Sequence, residues 1–373
     1  MPNGEAPAAP ATVSVPRRPR PNRPLATQLR LRFAASSGQA FLVLLITGFA
    51  AMVVAEFASK GVAQAGAQVV NGLQIGAIYA LIAVGYTMVY GIIELINFAH
   101  GDVFTFGGML SVWIGAGFGA LGLDLTKLAT SNVGGLIAAL AIIFPLTMLC
   151  TGTLGVVIER VAYRRLRNAP RLAPLITAIG MSFLLQGIMF VAAGSGNYPA
   201  RKDDWITGRA FTIGSVNVSW PQLFVIVIAV AMMLGLQMFV RYTRVGKAMR
   251  ATAQDRDAAL LSGININRTI SLTFFIGSAM AAVGGIVYAI YFNLLQWNLG
   301  FKFGIIAFTA AVLGGIGNIL GAGVGGFLIG LIYAFGSDLA GGEWGNSIIF
   351  AMLILVLTLR PNGLLGMRVP DRA

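Results

Sequence analysis

The sequence predicts an all-α, polytopic membrane helix bundle, and three observations carry that prediction. Hydrophobic residues make up 57 % of the 373 positions and charged residues only 10 %, where water-soluble domains carry about 25 % charge. Mean hydropathy is +0.80. Apolar runs of about 20 residues, the length a helix needs to cross a hydrocarbon core of about 30 Å with its backbone fully paired, recur along the whole chain. A single cysteine, Cys150, and a single histidine, His100, exclude a disulfide framework and thiol or histidine-cluster metal chemistry. No catalytic or metal-ligating constellation is expected. The net charge of +13 speaks in such a chain about membrane sidedness, not nucleic acid.

The first 24 residues hold half of the 14 prolines, with Arg17, Arg18, Arg20 and Arg23 among them, which predicts a disordered basic arm over 1–39. The run at 40–57 lies too far behind that arm, and without a small-residue cleavage site, to be a removable leader; it reads as a retained signal-anchor. Further spans are expected at 68–91, 103–119, 134–158, 174–193, 221–240, 269–292, 319–337 and 346–360. Pro221 suits a first helical turn, where its missing N–H costs nothing, and Pro145 predicts a mid-span kink. A shorter apolar piece, 304–316, gives a total of about 9–10 spans.

Charge sets the orientation. With the amino terminus in the cytoplasm, only six of the 26 basic residues, Lys60, Lys127, Arg201, Lys202, Arg209 and Lys302, fall outside. The same bias favours a crossing by 304–316, because otherwise Arg360, Arg368 and Arg372 end on the outer side.

A pump needs fuel, yet no G-x-x-x-x-G-K-[ST] loop is present: Gly246-Lys247 lacks both the upstream glycine and the following hydroxyl residue. ATP, if used, is bound with its magnesium by another subunit, and no cofactor is expected on this chain. Gly321, Gly323 and Gly326 match G-x-G-x-x-G but fall in a membrane helix without a preceding strand. The 48 glycines read instead as close helix approaches, with Gly72/Gly76 and Gly326/Gly330 at four-residue spacing. The sequons at Asn217 and Asn267 are short enough to be chance, and no glycan is assigned.

Segment 241–268 carries six basic residues with Asp255 and Asp257, and no proline, which predicts short helices at the membrane surface. Met249, Ala253, Leu260 and Ile264 recur at helical spacing and predict an apolar ridge for a neighbouring protein. The alternative is a solvated loop whose charges only set topology. Asp257, Ala258, Ala259 and Gly263 resemble the Glu-Ala-Ala-x-x-x-Gly signature that many ABC-importer permeases present to their ATPases, although the Ile-x-Leu-Pro continuation is replaced here around Thr273 to Ile276. On that resemblance Arg244, Gly246, Lys247, Asp255, Asp257, Ala258, Ala259 and Gly263 are the expected ATPase-coupling residues.

The chain as a whole resembles the branched-chain amino acid ABC-transporter permease family, of the LivH-type subunit. The resemblance rests on NGLQIGAIYALIAVGYTMVYGII from Asn71, INFAHGD from Ile96, ERVAYRRLR from Glu159 and ITAIGMSFLLQ from Ile176. It continues in AFTAAVLGGIGNILGAGVGG from Ala307 and RPNGLLG from Arg360. It implies an ABC-importer permease domain over 67–367, with 40–66 as an extra amino-terminal span and loop. It also implies a second homologous permease subunit of the LivM type, two cytoplasmic ATPase subunits and a periplasmic amino-acid-binding protein, in a bacterial inner membrane. Relatives carry leucine, isoleucine and valine, and others urea or short amides.

Polar residues at membrane depth are the candidate pathway. Glu94, Asn97, His100 and Asp102 gather where the second span meets the third, and an ionised carboxylate in lipid costs about 2.5–3.5 kcal/mol, so Glu94 must face protein, water or the interface. A helix broken at 97–101 offers backbone groups and amides to an amino acid's ends; the alternative is an interfacial turn in which Asp102 caps the next helix and His100 bonds to a carbonyl. Asn71, Gln74, Tyr79, Tyr86 and Thr87 on the second span, and Thr309 later, are further candidates, against simple helix-to-helix bonding. Asp203, Asp204, Asp338 and Glu343 read as solvated acids on the outer side, the alternative being contacts to basic or polar residues of a docked binding protein. A stand-alone secondary transporter or channel would show an internal repeat with paired buried charges, and an intramembrane enzyme a paired-acid or Ser/His site; neither pattern is evident.

Overall fold

The computed structural model describes residues 25–167, 169–170, 172–200 and 204–366, with side chains from residue 38 on. The arm to residue 24, Arg171, Arg201, Lys202, Asp203, Arg368 and Arg372 lie outside the described residues. Helix α1 (Leu25–Ile93) opens the fold and is broken at Gly61, whose φ of 82° and ψ of 175° suit only glycine. The helix begins earlier than the expected first span and takes in 25–39, because LATQLRLRFAASSGQ holds no proline and is rich in Leu, Ala, Arg and Gln. The loop expected between the first two spans shrinks to that single glycine for the same reason: Ala, Lys and Gln on either side of it favour helix.

There follow α2 (His100–Ala120), α3 (Leu125–Ser131) and α4 (Val133–Ile158), which contains Pro145 and runs into a π turn at Glu159–Tyr163 and a 3₁₀ turn at Arg164–Leu166. Next come α5 (Leu172–Ala193), α6 (Trp220–Tyr242), α7 (Arg244–Gln254), α8 (Arg256–Leu261), α9 (Ile266–Phe292), α10 (Leu299–Gly314), α11 (Ile319–Ala340) and α12 (Gly345–Leu359). Four short strands complete the described chain: β1 (Tyr198–Pro199) pairs with β4 (Leu294–Leu295), and β2 (Arg209–Ile213) with β3 (Val216–Ser219), both antiparallel. The hairpin feeds α6, where Ser219 and Gln222 form a capping box and Pro221 takes the first turn.

Among the described residues eight stretches are long and apolar enough to span, the first of them holding both arms of α1, and α10 is a shorter apolar helix. The centre is α9, with 83 % of its apolar window buried, and α11, with 67 %; α6 and α12 reach only 17 %. Central helices thus see protein, and the outer ones turn Val43, Ile46, Ile176, Phe183, Val227 and Ile354 outward, as a bundle in lipid must. The two glycine pairs meet each other: a Cβ at Gly330 would strike the backbone of Gly72 and Gly76, and one at Gly76 would lie 2.8 Å from the Phe327 Cα. The second arm of α1 and α11 therefore touch backbone to backbone.

Helix α10 has 16 residues, about 24 Å of rise. Its Gly300 and Gly304 lie on Gly101, at the start of α2, and Gly317 just beyond its end lies against Gly91. The chain leaving α9 thus comes back to the Ile93 end of α1 before α11 sets out, so α9 and α11 run in the same sense, as a crossing by 304–316 requires.

Candidate functional site

The break between α1 and α2 is built by backbone geometry. Glu94 donates its N–H to the Tyr90 carbonyl at 2.8 Å and then turns to a φ of 55°, one of two positive φ values at non-glycine residues in the described chain. That conformation ends the helix. His100, first residue of α2, stacks on Tyr86 with ring centroids 4.6 Å apart and abuts Gly85, so α2 starts about 12 Å back along α1 from Ile93. With α10 arriving at Gly101, two helices begin inside the bundle, the arrangement by which broken helices present free N–H groups at depth.

Asn97 is 3 % exposed and accepts the Tyr163 hydroxyl at 2.9 Å. Fully buried Asp102 accepts the hydroxyl of Ser182 on α5, which in turn accepts from Gln186 Nε2 at 3.1 Å; its other oxygen has no partner. The expectation that Asp102 caps α2 is therefore corrected: that helix start has no side-chain cap, and the carboxylate turns to the donors that α5 supplies. His100 stacks its ring on Tyr86, and the Ile82 backbone is the group its imidazole meets in hydrogen bonding, which agrees with the reading of a histidine bonded to a carbonyl.

The remaining pathway candidates are packed. Asn71 accepts from Gln222 at 3.1 Å, Tyr79 sits between Phe303 and Tyr333, and Thr309 bonds back to the Ile305 carbonyl at 2.9 Å. Gln74 and Thr87 are buried, with Gln74 Nε2 and Thr87 Oγ1 unpartnered. The void beside Tyr86 and Thr87 is only about 10 Å³, room for about one water. A larger cavity of about 370 Å³ opens at the Ile93 end, bounded by Glu94, Tyr163, Arg167, Arg256, Asp257 and Phe274.

Segment 241–268 forms short helices as expected, α7 and α8. Thr243 caps α7 through the Gly246 N–H at 3.0 Å, and Gly246 rests on the Val240 backbone. Asp255 caps α8 by accepting from the N–H groups of Asp257 at 2.9 Å and Ala258 at 3.1 Å. Ala259 packs inward, Asp257 and Ala258 face outward, and Gly263 at φ 78° closes the helix with bonds from Gly263 N to Leu260 O and from Ile264 N to Ala259 O, both 3.0 Å. The alanine-to-glycine spacing is thus the length of one capped short helix. Arg244 and Lys247 are exposed. The single apolar ridge is not formed: Met249 is 1 % exposed and belongs to the core, and the Asp255 cap separates its helix from that of Leu260. Leu260 and Leu261 are the outward apolar side chains, 61 % and 90 % exposed.

Two groups escape sequence reasoning. Glu159, fully buried on the π turn, takes Arg164 Nε at 3.2 Å, Arg167 through a short contact, and the Ser271 hydroxyl of α9 at 2.7 Å. Burial pulls the Arg167 guanidinium below its ordinary pKa, against the upward pull of Glu159. Arg256 donates Nη2 to the Ile92 carbonyl at 3.1 Å. The density of arginine at 160–171 was the available signal, but it read as topology.

At the opposite face, Asp338 is not the solvated acid expected. Lys60 lies 2.7 Å from its Oδ2 and 3.5 Å from buried Glu56, a meeting made possible by the helical continuation of α1 through 58–60. Asp204 accepts from Asn293 at 3.3 Å, and Glu343 is exposed.

A bundle that turns apolar side chains outward, with two helices that start inside it and a capped basic hairpin at one end, has the architecture of a membrane transport protein. The family model for the branched-chain amino acid transport system permease component matches residues 68–357, and the chain belongs to that family. It is 42 % identical over 302 residues to the high-affinity branched-chain amino acid transport system permease protein BraD of Pseudomonas aeruginosa, covering 80 % of this chain and 95 % of the relative. Identity to the LivH permease proteins of Salmonella typhimurium and Escherichia coli K12 is 43 % and 42 % over 304 residues, 80 % of this chain and 94 % of each relative. No solved structure matches the chain. The first arm of α1 lies ahead of the family region.

Proposed function

We propose that the chain is the membrane-spanning permease subunit of an ATP-driven importer of branched-chain amino acids. It works in a bacterial inner membrane with its amino terminus and segment 241–268 in the cytoplasm. Identity of 42–43 % across nearly the whole length of relatives named for that transport carries the reading. Two ATPase subunits, which bind ATP and magnesium, grip α7 and α8. A second homologous permease subunit of the LivM type completes the pathway, and a periplasmic binding protein delivers the amino acid. The broken start of α2, with Glu94, Asn97 and His100, and the neighbouring Tyr86, Thr87 and Thr309, form the pathway wall that opens when the ATPases close.

The test is uptake of labelled leucine by proteoliposomes holding the complete complex. Uptake is expected to require ATP and the binding protein. Uptake by this chain alone, or uptake of urea in preference to leucine, overturns the reading. For the docking surface, Gly263→Arg places a long charged side chain beside the outward face of α8, at a site with nothing within 4 Å. It is expected to leave insertion intact and abolish ATPase co-purification, with Gly263→Ala as the control for backbone strain of about 1 kcal/mol. Normal co-purification of the Gly263→Arg variant removes the docking role.

A further inference from the structure

The geometry points to Arg256 as the positioning residue that carries motion from the ATPase-coupling segment to the broken end of α1. This rests on the docking role of α7 and α8 proposed above. Arg256 is the first residue of α8 and directly follows the Asp255 cap, so its backbone is fixed to a rigid unit. Its guanidinium reaches the Ile92 carbonyl at 3.1 Å, across 164 residues of chain. In an unbroken helix that carbonyl would receive the N–H of residue 96. Here the chain leaves the helix at Glu94 with φ 55°, and the Arg256 donor takes the place of the missing bond. A cation at the carbonyl end of a helix also complements its dipole.

The linker from that point is short and held again further on. Ile92 is bound by Arg256, and Asn97 by the Tyr163 hydroxyl at 2.9 Å. His100 follows three residues later, stacked on Tyr86. A displacement of α8 therefore moves Ile92 relative to Asn97 and is taken up by Ile93–Ile96, the stretch that already contains the left-handed residue. The cavity of about 370 Å³ beside Ile92, Glu94 and Arg256 gives that stretch space to move. Arg167, Asp255 and Asp257 are the other charged groups bordering it. Helix α7 also touches α1, but through core packing that includes Met249, which a change at Arg256 leaves in place.

The experiment uses the complete complex in proteoliposomes, with Arg256→Met and Arg256→Lys. The methionine variant is expected to retain ATPase co-purification and basal hydrolysis and to lose about tenfold in leucine taken up per ATP, the scale of one charge-assisted hydrogen bond. Lysine, which still donates, is expected to recover most of that ratio. A methionine variant with the normal ratio overturns the inference, as does one that loses its ATPases, since Arg256 would then be a docking contact. Failure of docking itself is read separately from the Gly263→Arg variant. A second measurement needs no change at Arg256: Leu95→Cys in a Cys150→Ala background is labelled with a maleimide with and without vanadate-trapped ATP. The labelling rate is expected to change about threefold or more on trapping; an unchanged rate in a complex that hydrolyses ATP overturns the inference.

Discussion

Lys60 and Asp338 meet at 2.7 Å at the end of the bundle opposite segment 241–268, and buried Glu56 stands 3.5 Å from the same ammonium group. One cation thus serves two carboxylates on different helices, while Phe49 packs edge-on against Phe335 with ring centroids 5.7 Å apart. These contacts fasten the first arm of α1, which lies ahead of the family region, onto α11.

Removing the cation leaves both acids without their shared partner. Lys60→Met is expected to lower the melting temperature, by an amount limited by the partial exposure of Lys60 and Asp338. Adding Asp338→Asn to it should restore part of the loss. Thermal unfolding of the detergent-solubilised chain measures both, and simple additivity of the two substitutions would show that the groups do not interact.

Glu159 predicts a larger effect at the opposite face. Its carboxylate is fully buried and joins the turns after α4 to Ser271 on α9. Glu159→Gln keeps the shape and removes the charge, leaving Arg164 and Arg167 without their counter-ion, and is expected to cost about 2–3 kcal/mol. Glu159→Asp, which keeps the charge on a shorter stem, should cost less. Equal melting temperatures for the glutamine variant and the native chain would contradict the network.

What was legible in the sequence follows from distance along the chain. Spans, the Pro221 helix start and the two glycine pairs are local patterns of length and spacing, and the structure places Gly72/Gly76 directly on Gly326/Gly330. Lys60 with Asp338 and Arg256 with Ile92 are separated by 278 and 164 residues, so nothing local marks them. Glu159 and Arg164 escaped for another reason: they lie five apart, Glu159 opening the π turn and Arg164 just past its end, outside the three- and four-residue spacings by which helix pairs are recognised. The ridge through Met249 and Leu260 failed because periodicity does not register that Asp255 stops one helix and caps the next.

The Tyr163–Asn97 bond tests whether the break between α1 and α2 matters for transport. Tyr163→Phe leaves a buried amide oxygen without its donor at an expected cost of about 1–3 kcal/mol. Leucine uptake is expected to fall several-fold, with ATPase co-purification unchanged, because Tyr163 and Asn97 are both buried and neither belongs to the outward face of α8. Loss of uptake in step with loss of folded protein would mark the bond as structural only.

The glycine contact between α1 and α11 sets the tolerance of the core. A Cβ at Gly330 would fall on the backbone of Gly76 and Gly72, so the two helices must separate before any side chain fits. Overpacking of this kind costs about 1–3 kcal/mol for small additions, and backbone atoms cannot move aside as a flexible side chain does. Gly330→Ala is expected to lower the melting temperature, and Gly330→Leu to prevent accumulation of folded protein. Gly117→Leu provides the control, since Gly117 is exposed on α2 and a Cβ there meets nothing within 4 Å. If Gly330→Leu accumulates and melts like Gly117→Leu, the backbone contact between these helices is not what holds the centre of the bundle together.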